Sequence, residues 1–333
     1  MELTGALVHV TEQTHVAEDR RRAAHLAVRL GFDDTRAGQV ASAVTEATTN
    51  LLKHAGGGLL FVGISQGNTS GLQIVAMDRG RGIRDIPASL RDGTSTAGTA
   101  GNGLGAIRRL ATSFDLYSIV GDGTVISATL YPAKVAAPLV AGLSIPAPRE
   151  LHCGDAWAVW SAGELTSVFV SDGLGHGPEA AAASSAAVAA FLRHAERSAG
   201  DVIDAVHAAL KSTRGAAVAV AELDRRRGTV HYCGLGNVSA VLVAADGSER
   251  HLVSLSGIAG HVARRRLQTF THPWIAGQVL VMHSDGIRTN WSLSEYPGLF
   301  RRHPGVIAGV LARDHRRGPD DATVVVAGHS DSR

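Results

Sequence analysis

The sequence predicts an α/β protein, α+β in strict terms, made of two domains in which strands pack centrally and helices lie outside. Four observations carry this expectation. Short runs rich in Val, Ile, Leu and Phe recur between alanine-rich stretches of helical spacing along the whole chain. Residues 134–150 carry three prolines and many small residues, which predicts a linker between a domain at 1–133 and another at 151–330. With 333 residues, each part is long enough to bury its own core. Finally, four strand edges each carry an acid: Asp155, Asp172, Asp285 and the Asp320-Asp321 pair.

The first part opens with a short strand-like start. Helical apolar spacing follows over Ala17 to Leu30 and over Arg36 to His54, with Gly56-Gly57-Gly58 as the stop. On the second helix Val44, Ala47, Leu51 and Ala55 form an apolar stripe. Ser42, Glu46, Asn50 and His54 recur every fourth residue on another side. A carboxylate and an amide one turn apart can activate a hydroxyl and bind a metal, and the same spacing also fits a solvated polar face. Strands are expected over Leu59 to Ile64 and Leu72 to Met77, the latter ending in Asp78-Arg79-Gly80-Arg81-Gly82. Arg84 to Ala100 is polar and aperiodic, as expected of a lid over a ligand. It closes on Gly101-Asn102-Gly103-Leu104-Gly105, after which a helix is expected from Ala106 to about Ser113. Glycines before a helix expose backbone N–H groups suited to polyphosphate.

In the second part Ala156 to Trp160 and Leu165 to Ser171 predict a hairpin over Ala162-Gly163-Glu164. The second strand delivers Asp172 to the turn Gly173-Leu174-Gly175-His176-Gly177, and Pro178 opens an alanine-rich helix. A carboxylate held at a strand end, beside glycines whose carbonyls can approach closely, suits a hard divalent cation; a polar turn capping the helix has the same composition. Helices over Glu179 to Glu196 and Asp201 to Ser212 are followed by Ala216 to Leu223, Thr229 to Cys233, Ser239 to Val243 and His251 to Val253, expected as a meander. Gln278 to His283 and Thr323 to Ala327 are the last strong strands, and the acids are expected along one edge. His176 has two readings: proton transfer, or a turn histidine bonded to backbone.

Composition excludes several classes. Hydrophobic residues make up 45%, charged residues 19%, and the formal net charge is +2, so no strongly charged partner is implied. Arginines occur in short scattered groups without interleaved aromatics, which argues for solvated faces and against nucleic acid. No apolar run reaches the roughly 20 residues needed to cross a bilayer, and Met1-Glu2-Leu3-Thr4 lacks the basic and apolar regions of a signal peptide. A cytoplasmic protein without a membrane partner is therefore expected. Cys153 and Cys233 lack CxxC spacing and are expected as reduced core thiols; the histidines lack zinc spacing.

Taken in order, Glu46 to Ala55, Asp78-Arg79-Gly80-Arg81-Gly82 and Gly101-Asn102-Gly103-Leu104-Gly105 resemble the N, G1 and G2 boxes of the GHKL ATPase superfamily. They resemble in particular its small anti-sigma-factor kinases of the RsbT and RsbW type. The resemblance covers most of residues 15–131 and implies a GHKL (Bergerat) α/β sandwich that binds ATP with Mg²⁺. By it, Asn50 coordinates Mg²⁺ and Asp78 hydrogen-bonds the adenine amino group. Gly80, Gly82, Gly101, Gly103, Leu104 and Gly105 contribute the rest of the nucleotide site, and Glu46 is the general base for a serine or threonine acceptor. No phosphoacceptor histidine segment precedes the boxes, which disfavours a histidine kinase. The boxes leave open whether the nucleotide is hydrolysed, transferred or held.

Gly154-Asp155, Asp172-Gly173-Leu174-Gly175-His176-Gly177, Ser284-Asp285-Gly286 and Asp320-Asp321-Ala322-Thr323 resemble the metal-dependent serine/threonine phosphatases of the PPM family, in its small SpoIIE-like branch with RsbX. This implies a central β-sandwich flanked by helices and a site for two Mn²⁺ or Mg²⁺ ions. Asp172 would bridge the ions, the Gly173 carbonyl would bind one, and Asp155, Asp285 and Asp320 would complete the shell, with Asp321 in support. Hard oxygen ligands suit these ions, and like charges so close together need them. The joint expectation is a partner-switching regulator of opposed activities. A kinase would phosphorylate, and a phosphatase dephosphorylate, a STAS-domain anti-anti-sigma or stressosome-like partner, setting sigma-factor availability. In the alternative, the ATP-binding domain is a non-catalytic docking or sequestering module.

Overall fold

The computed structural model describes residues 5–91, 103–136, 139–261 and 267–328. Met1 to Thr4, Gly101 and Asn102 of the glycine turn, and most of the expected lid lie outside the described residues. The first part runs β1 (Ala6–Val10), α1 (Thr14–Arg29), α2 (Asp34–Ala55), β2 (Gly58–Ser65), β3 (Gly71–Met77), α3 (Ile86–Ser89), α4 (Gly103–Leu110), β4 (Ser113–Ile119) and β5 (Gly123–Leu130). Asp33 caps α2 by accepting the Arg36 N–H at 2.7 Å. Gly56 ends it at φ 71°, a left-handed conformation that glycine adopts without strain. The helix expected from Ala106 instead starts at Gly103 and ends at Leu110, because Ser113 already pairs with Thr129 as the first residue of β4. The five strands form an antiparallel sheet in the order β1-β2-β3-β5-β4.

The second part begins earlier than the proline-rich stretch suggested. Val140–Ile145, inside the expected linker, is a wholly buried strand, β6, antiparallel to the last strand of the chain. Pro146 and Pro148 follow the strand and stop it without preventing it. After it come β7 (Asp155–Ala162), β8 (Leu165–Gly173), α5 (Pro178–His194), α6 (Ala199–Ala209), β9 (Ala216–Asp224), β10 (Thr229–Leu235), β11 (Ser239–Val243), β12 (Glu249–His251), β13 (Phe270–Pro273), β14 (Val279–His283), α7 (Pro304–His315) and β15 (Ala322–Gly328). The β7–β8 hairpin turns over Gly163-Glu164, with Gly163 at φ 58° as a two-residue turn requires at its first position.

The expected meander is not one. β10 pairs with β9 and β13, whereas β11 pairs with β12 and β14, so the chain leaves one sheet at Leu235 and enters another at Ser239. Gly236, at φ 103°, sits in this tight crossing. The two sheets, ordered β13-β10-β9-β8-β7 and β12-β11-β14-β15-β6, pack face to face through Trp157, Val168, Val170, Leu242, Leu280, Met282 and their neighbours. Alternation along β8 sends Phe169 the other way, where it stacks on Phe191 of α5 with ring centroids 5.0 Å apart.

Helix α7 joins the two halves. All nine residues from Pro304 to Ala312 are buried. One side of the helix packs on the outer face of the β6-containing sheet (Leu143, Ile145, Val281, Val324). The other meets the open face of the first sheet (Phe61, Val75, Met77, Tyr117, Val125). Burial of apolar surface on both sides makes the halves one continuous structure, with layers in the order helices, sheet, α7, sheet, sheet, helices.

Candidate functional site: an acid cluster and a glycine-rich polar corner at α2

The sandwich brings four acid-bearing strand ends to one place. Asp155 opens β7 directly opposite Asp172, near the end of β8. From the facing sheet, Asp285 follows β14 and Asp320 precedes β15. The Asp285 N–H donates to the Asp172 carboxylate, tying the two sheets together at this edge. Burial, then the charges of Asp285 and Asp320, push the Asp172 carboxyl up to about 7. Burial, then Asp172, raises Asp155, which is 2% exposed, well above the usual carboxylate range. Burial and Asp320 raise Asp285. Among the described residues no three His, Cys, Asp or Glu side chains close around a single point as a finished cage. The donor set nevertheless fits hard divalent cations: it is all oxygen, and burial followed by mutual repulsion raises these carboxyls, both of which a bound cation would offset.

The surrounding hydrogen bonds divide the acids by role. Asp321 is buried, and its two oxygens accept the Ala147 N–H at 2.7 Å and the Gly154 N–H at 2.9 Å. It therefore holds the loop before Asp155, while the exposed Asp320 is left to face the cluster. Ser284 donates to Asp155 at 2.6 Å and itself accepts the Thr323 N–H at 2.9 Å. Asn237 donates to Asp285 at 2.8 Å. Nothing in the sequence flagged this role for Asn237, although its turn immediately precedes β11 at the same edge. Gly173 is buried, and a Cβ there would strike the Ala180 carbonyl; one at Gly154 would come within 2.6 Å of Asp321 Oδ2. Glycine at both positions lets the loops close over the acids. Among the described residues His176 pairs with Glu150, its Nδ1 lying 2.8 Å from Glu150 Oε1, and not with the cluster or with backbone. His283 is buried and its pKa is lowered to about 4, so it is neutral. Its Nδ1–H donates to the Ser284 carbonyl and its Nε2 accepts from Trp291 Nε1–H, fixing the backbone next to Asp285.

In the first part, the described residues of the three sequence boxes meet around α2. Glu46 and Asn50 are half-buried one turn apart. Asn50 Nδ2 is buried and has no hydrogen-bond partner among the described residues, and a Cβ on Gly103 would lie 3.1 Å from Asn50 Oδ1. Farther along the helix, a Cβ on Gly80 would lie 2.7 Å from the Ala55 Cβ. Gly82, at φ 67°, packs against the Ile119 carbonyl where no side chain fits. Asp78 Oδ1 accepts N–H groups from Gly80 at 2.8 Å and Thr124 at 3.2 Å, and burial raises its pKa. Leu104 and Gly105 continue α4 from Gly103. A buried amide donor beside Gly103 suits a bound polar group, since an unsatisfied buried donor is costly. These residues therefore fit a nucleotide with its cation.

Fold and site together define a kinase-like ATPase domain joined to a PP2C-type phosphatase domain. The profile of the family "Stage II sporulation protein E (SpoIIE)" matches residues 162–330, and that of the "Histidine kinase-like ATPase domain" matches residues 10–130. The chain belongs to the SpoIIE family and, through its first part, to the histidine kinase-like ATPases. Over 122 residues it is 33% identical to the serine/threonine-protein kinase RsbT of Bacillus subtilis (strain 168), covering 36% of this chain and 92% of RsbT. Over 136 residues it is 26% identical to the phosphoserine phosphatase RsbX of the same organism, covering 40% of this chain and 67% of RsbX. A solved structure described under "The bacterial stressosome" aligns with a TM-score of 0.53 and 28% identity over 56% of this chain and 97% of its own. RsbX in complex with magnesium aligns at 0.50 and 21% over 56% of this chain and 92% of its own, a likeness of fold.

Proposed function

We propose that the chain is a partner-switching regulator in which a metal-dependent phosphoserine/phosphothreonine phosphatase is fused to an ATP-dependent serine/threonine kinase. The observation that carries the phosphatase half is the convergence of Asp155, Asp172, Asp285 and Asp320 from two facing sheets. In this reading Asp172, the Gly173 carbonyl, Asp155, Asp285 and Asp320 would together hold two Mn²⁺ or Mg²⁺ ions. Bound there, the two cations would supply Lewis-acid polarisation of the phosphate and an acidified water. The chain's own contribution is orientation. Ser284 and Asn237 fix one oxygen each of Asp155 and Asp285, and Asp321 keeps the Gly154 loop closed. The ATP-binding unit occupies 1–133, and the phosphatase unit starts with β6 and runs to 330.

In the first unit, Asn50 would hold Mg²⁺ and Asp78 the adenine amino group. Gly80, Gly82, Gly101, Gly103, Leu104 and Gly105 would shape the pocket, and Glu46 would take the proton of the acceptor hydroxyl. The likeness to RsbT, and to a structure described as the stressosome, supports a STAS-domain partner. Fusion keeps both active sites at high local concentration around it. The test uses a purified STAS protein and γ-³²P-ATP in the presence of EDTA-sensitive Mn²⁺. Label is expected to pass to the STAS protein, to be released as phosphate by the intact chain, and to fall about 100-fold or more in transfer in Glu46→Gln. Phosphate release without any label transfer by a phosphatase-dead chain would leave the first unit a docking module.

A further inference from the structure

The adenine-side carboxylate, Asp78, lies against the second domain. Arg313, at the end of α7, has a side chain only 3% exposed. Its Nη1 donates to the Asp78 carbonyl at 3.0 Å and to the Asp122 carbonyl at 3.1 Å. Its Nε and Nη2 donate to the two oxygens of Asp314, each at 2.9 Å. Arg79, next to Asp78, reaches back to the same carboxylate at 2.5 Å and to the Arg313 carbonyl at 3.3 Å. The two carbonyls held by Arg313 come from the end of β3 and from the β4–β5 turn, the segments that frame Asp78. The Thr124 N–H, from the start of β5 just after that turn, bonds the Asp78 carboxylate itself, and Gly123 packs on the Asp78 carbonyl so closely that no Cβ fits.

A guanidinium this buried is tolerated only when its donors are matched, and its planar fork fixes directions that a lysine ammonium would not. We infer that Arg313, supplied by the phosphatase half, is a positioning residue of the nucleotide site. It sets the position of Asp78 by clamping the strand end and the turn, so adenine selectivity is a property of the fused chain and not of residues 1–133 alone. This rests on reading Asp78 as the adenine-binding carboxylate.

The experiment titrates the full chain, with Mg²⁺, against ADP and against IDP, which carries an oxo group where ADP has its amino group. The wild type is expected to favour ADP by about 10-fold or more, the worth of a hydrogen bond to a charged group. In Arg313→Ala the ADP affinity falls more than the IDP affinity, and the ratio drops towards one. Arg313→Lys, which keeps the charge beside Asp314 but loses the fork, also lowers the ratio and decides the matter if Arg313→Ala does not fold. An unchanged ratio in both variants, or an equal loss of both nucleotides, overturns the inference while leaving the nucleotide site standing. A wild type that binds ADP and IDP equally, or neither, overturns the reading of Asp78 and this inference together.

Discussion

The two sites solve opposite electrostatic problems. At the sandwich edge, carboxylates crowd one another, and burial plus like charge lifts Asp172 to about 7. Around α2 there is instead a buried donor, Asn50 Nδ2, without a hydrogen-bond partner among the described residues and beside Gly103, where a Cβ would crowd the Asn50 amide. The first arrangement calls for cations to relieve repulsion, and the second for a polar ligand to satisfy a buried amide. The difference teaches that one fold can store binding capacity as excess charge at one place and as missing hydrogen bonds at another. Helix α7 touches both regions. Its end clamps Asp78 through Arg313, and the segment beyond it pairs with Gly286 and Ile287 next to Asp285.

The largest effect should come from removing the central acid. Asp172→Asn is expected to lower Mn²⁺-dependent phosphate release from an aryl phosphate by about 1,000-fold, the several kcal/mol that metal catalysis supplies, with ADP binding unchanged. Loss of nucleotide binding in that variant would break the separation between the sites.

The pH dependence of stability sharpens the same contrast. The Asp172 carboxyl titrates at 3.8 when unfolded and at about 7 when folded, so the protonated form is favoured in the fold. Its stabilisation is complete below about pH 4 and is lost as pH rises through 7. Asp155 and Asp285 shift in the same direction. Thermal melts in EDTA should therefore show the melting temperature falling from pH 5 to pH 7.5, with added Mn²⁺ restoring more at pH 7.5 than at pH 5. A melting temperature in EDTA that rises across this range would contradict the repulsive cluster.

Smaller in scale is the effect at the junction. A Cβ on Gly309 of α7 would lie 2.7 Å from Val125 Cγ1 and 2.8 Å from Val75 Cγ1 on the first sheet. Gly309→Leu is expected to cost about 1–3 kcal/mol in urea unfolding, the usual penalty of overpacking. A neutral result would mean that the halves do not pack through this helix.

Much of this was legible in the sequence where chemistry dictates residue type. Acids at strand ends, and the Glu46 to Ala55 helix with its two glycine boxes, pointed to both candidate sites because few other residue types suit that chemistry. What escaped has physical causes. α7 reads PGVIAGVLA, apolar all round; a helix buried on two sides carries no polar stripe to betray its period. β6 hid among prolines that bound it, and the crossing from β10 to β11 looks locally like a hairpin turn. Arg316, expected on a solvated face, is half-buried and bridges to Ile287. Such contacts depend on elements far apart in sequence, which spacing alone does not report.

Calorimetric titration of Mn²⁺ into the full chain at pH 7.5 tests the convergence of the acids most directly. Two ions bound per chain, with binding lost in Asp172→Asn and weakened in Asp285→Asn, is the expected result. Absence of binding, or binding that both variants leave unchanged, would contradict it.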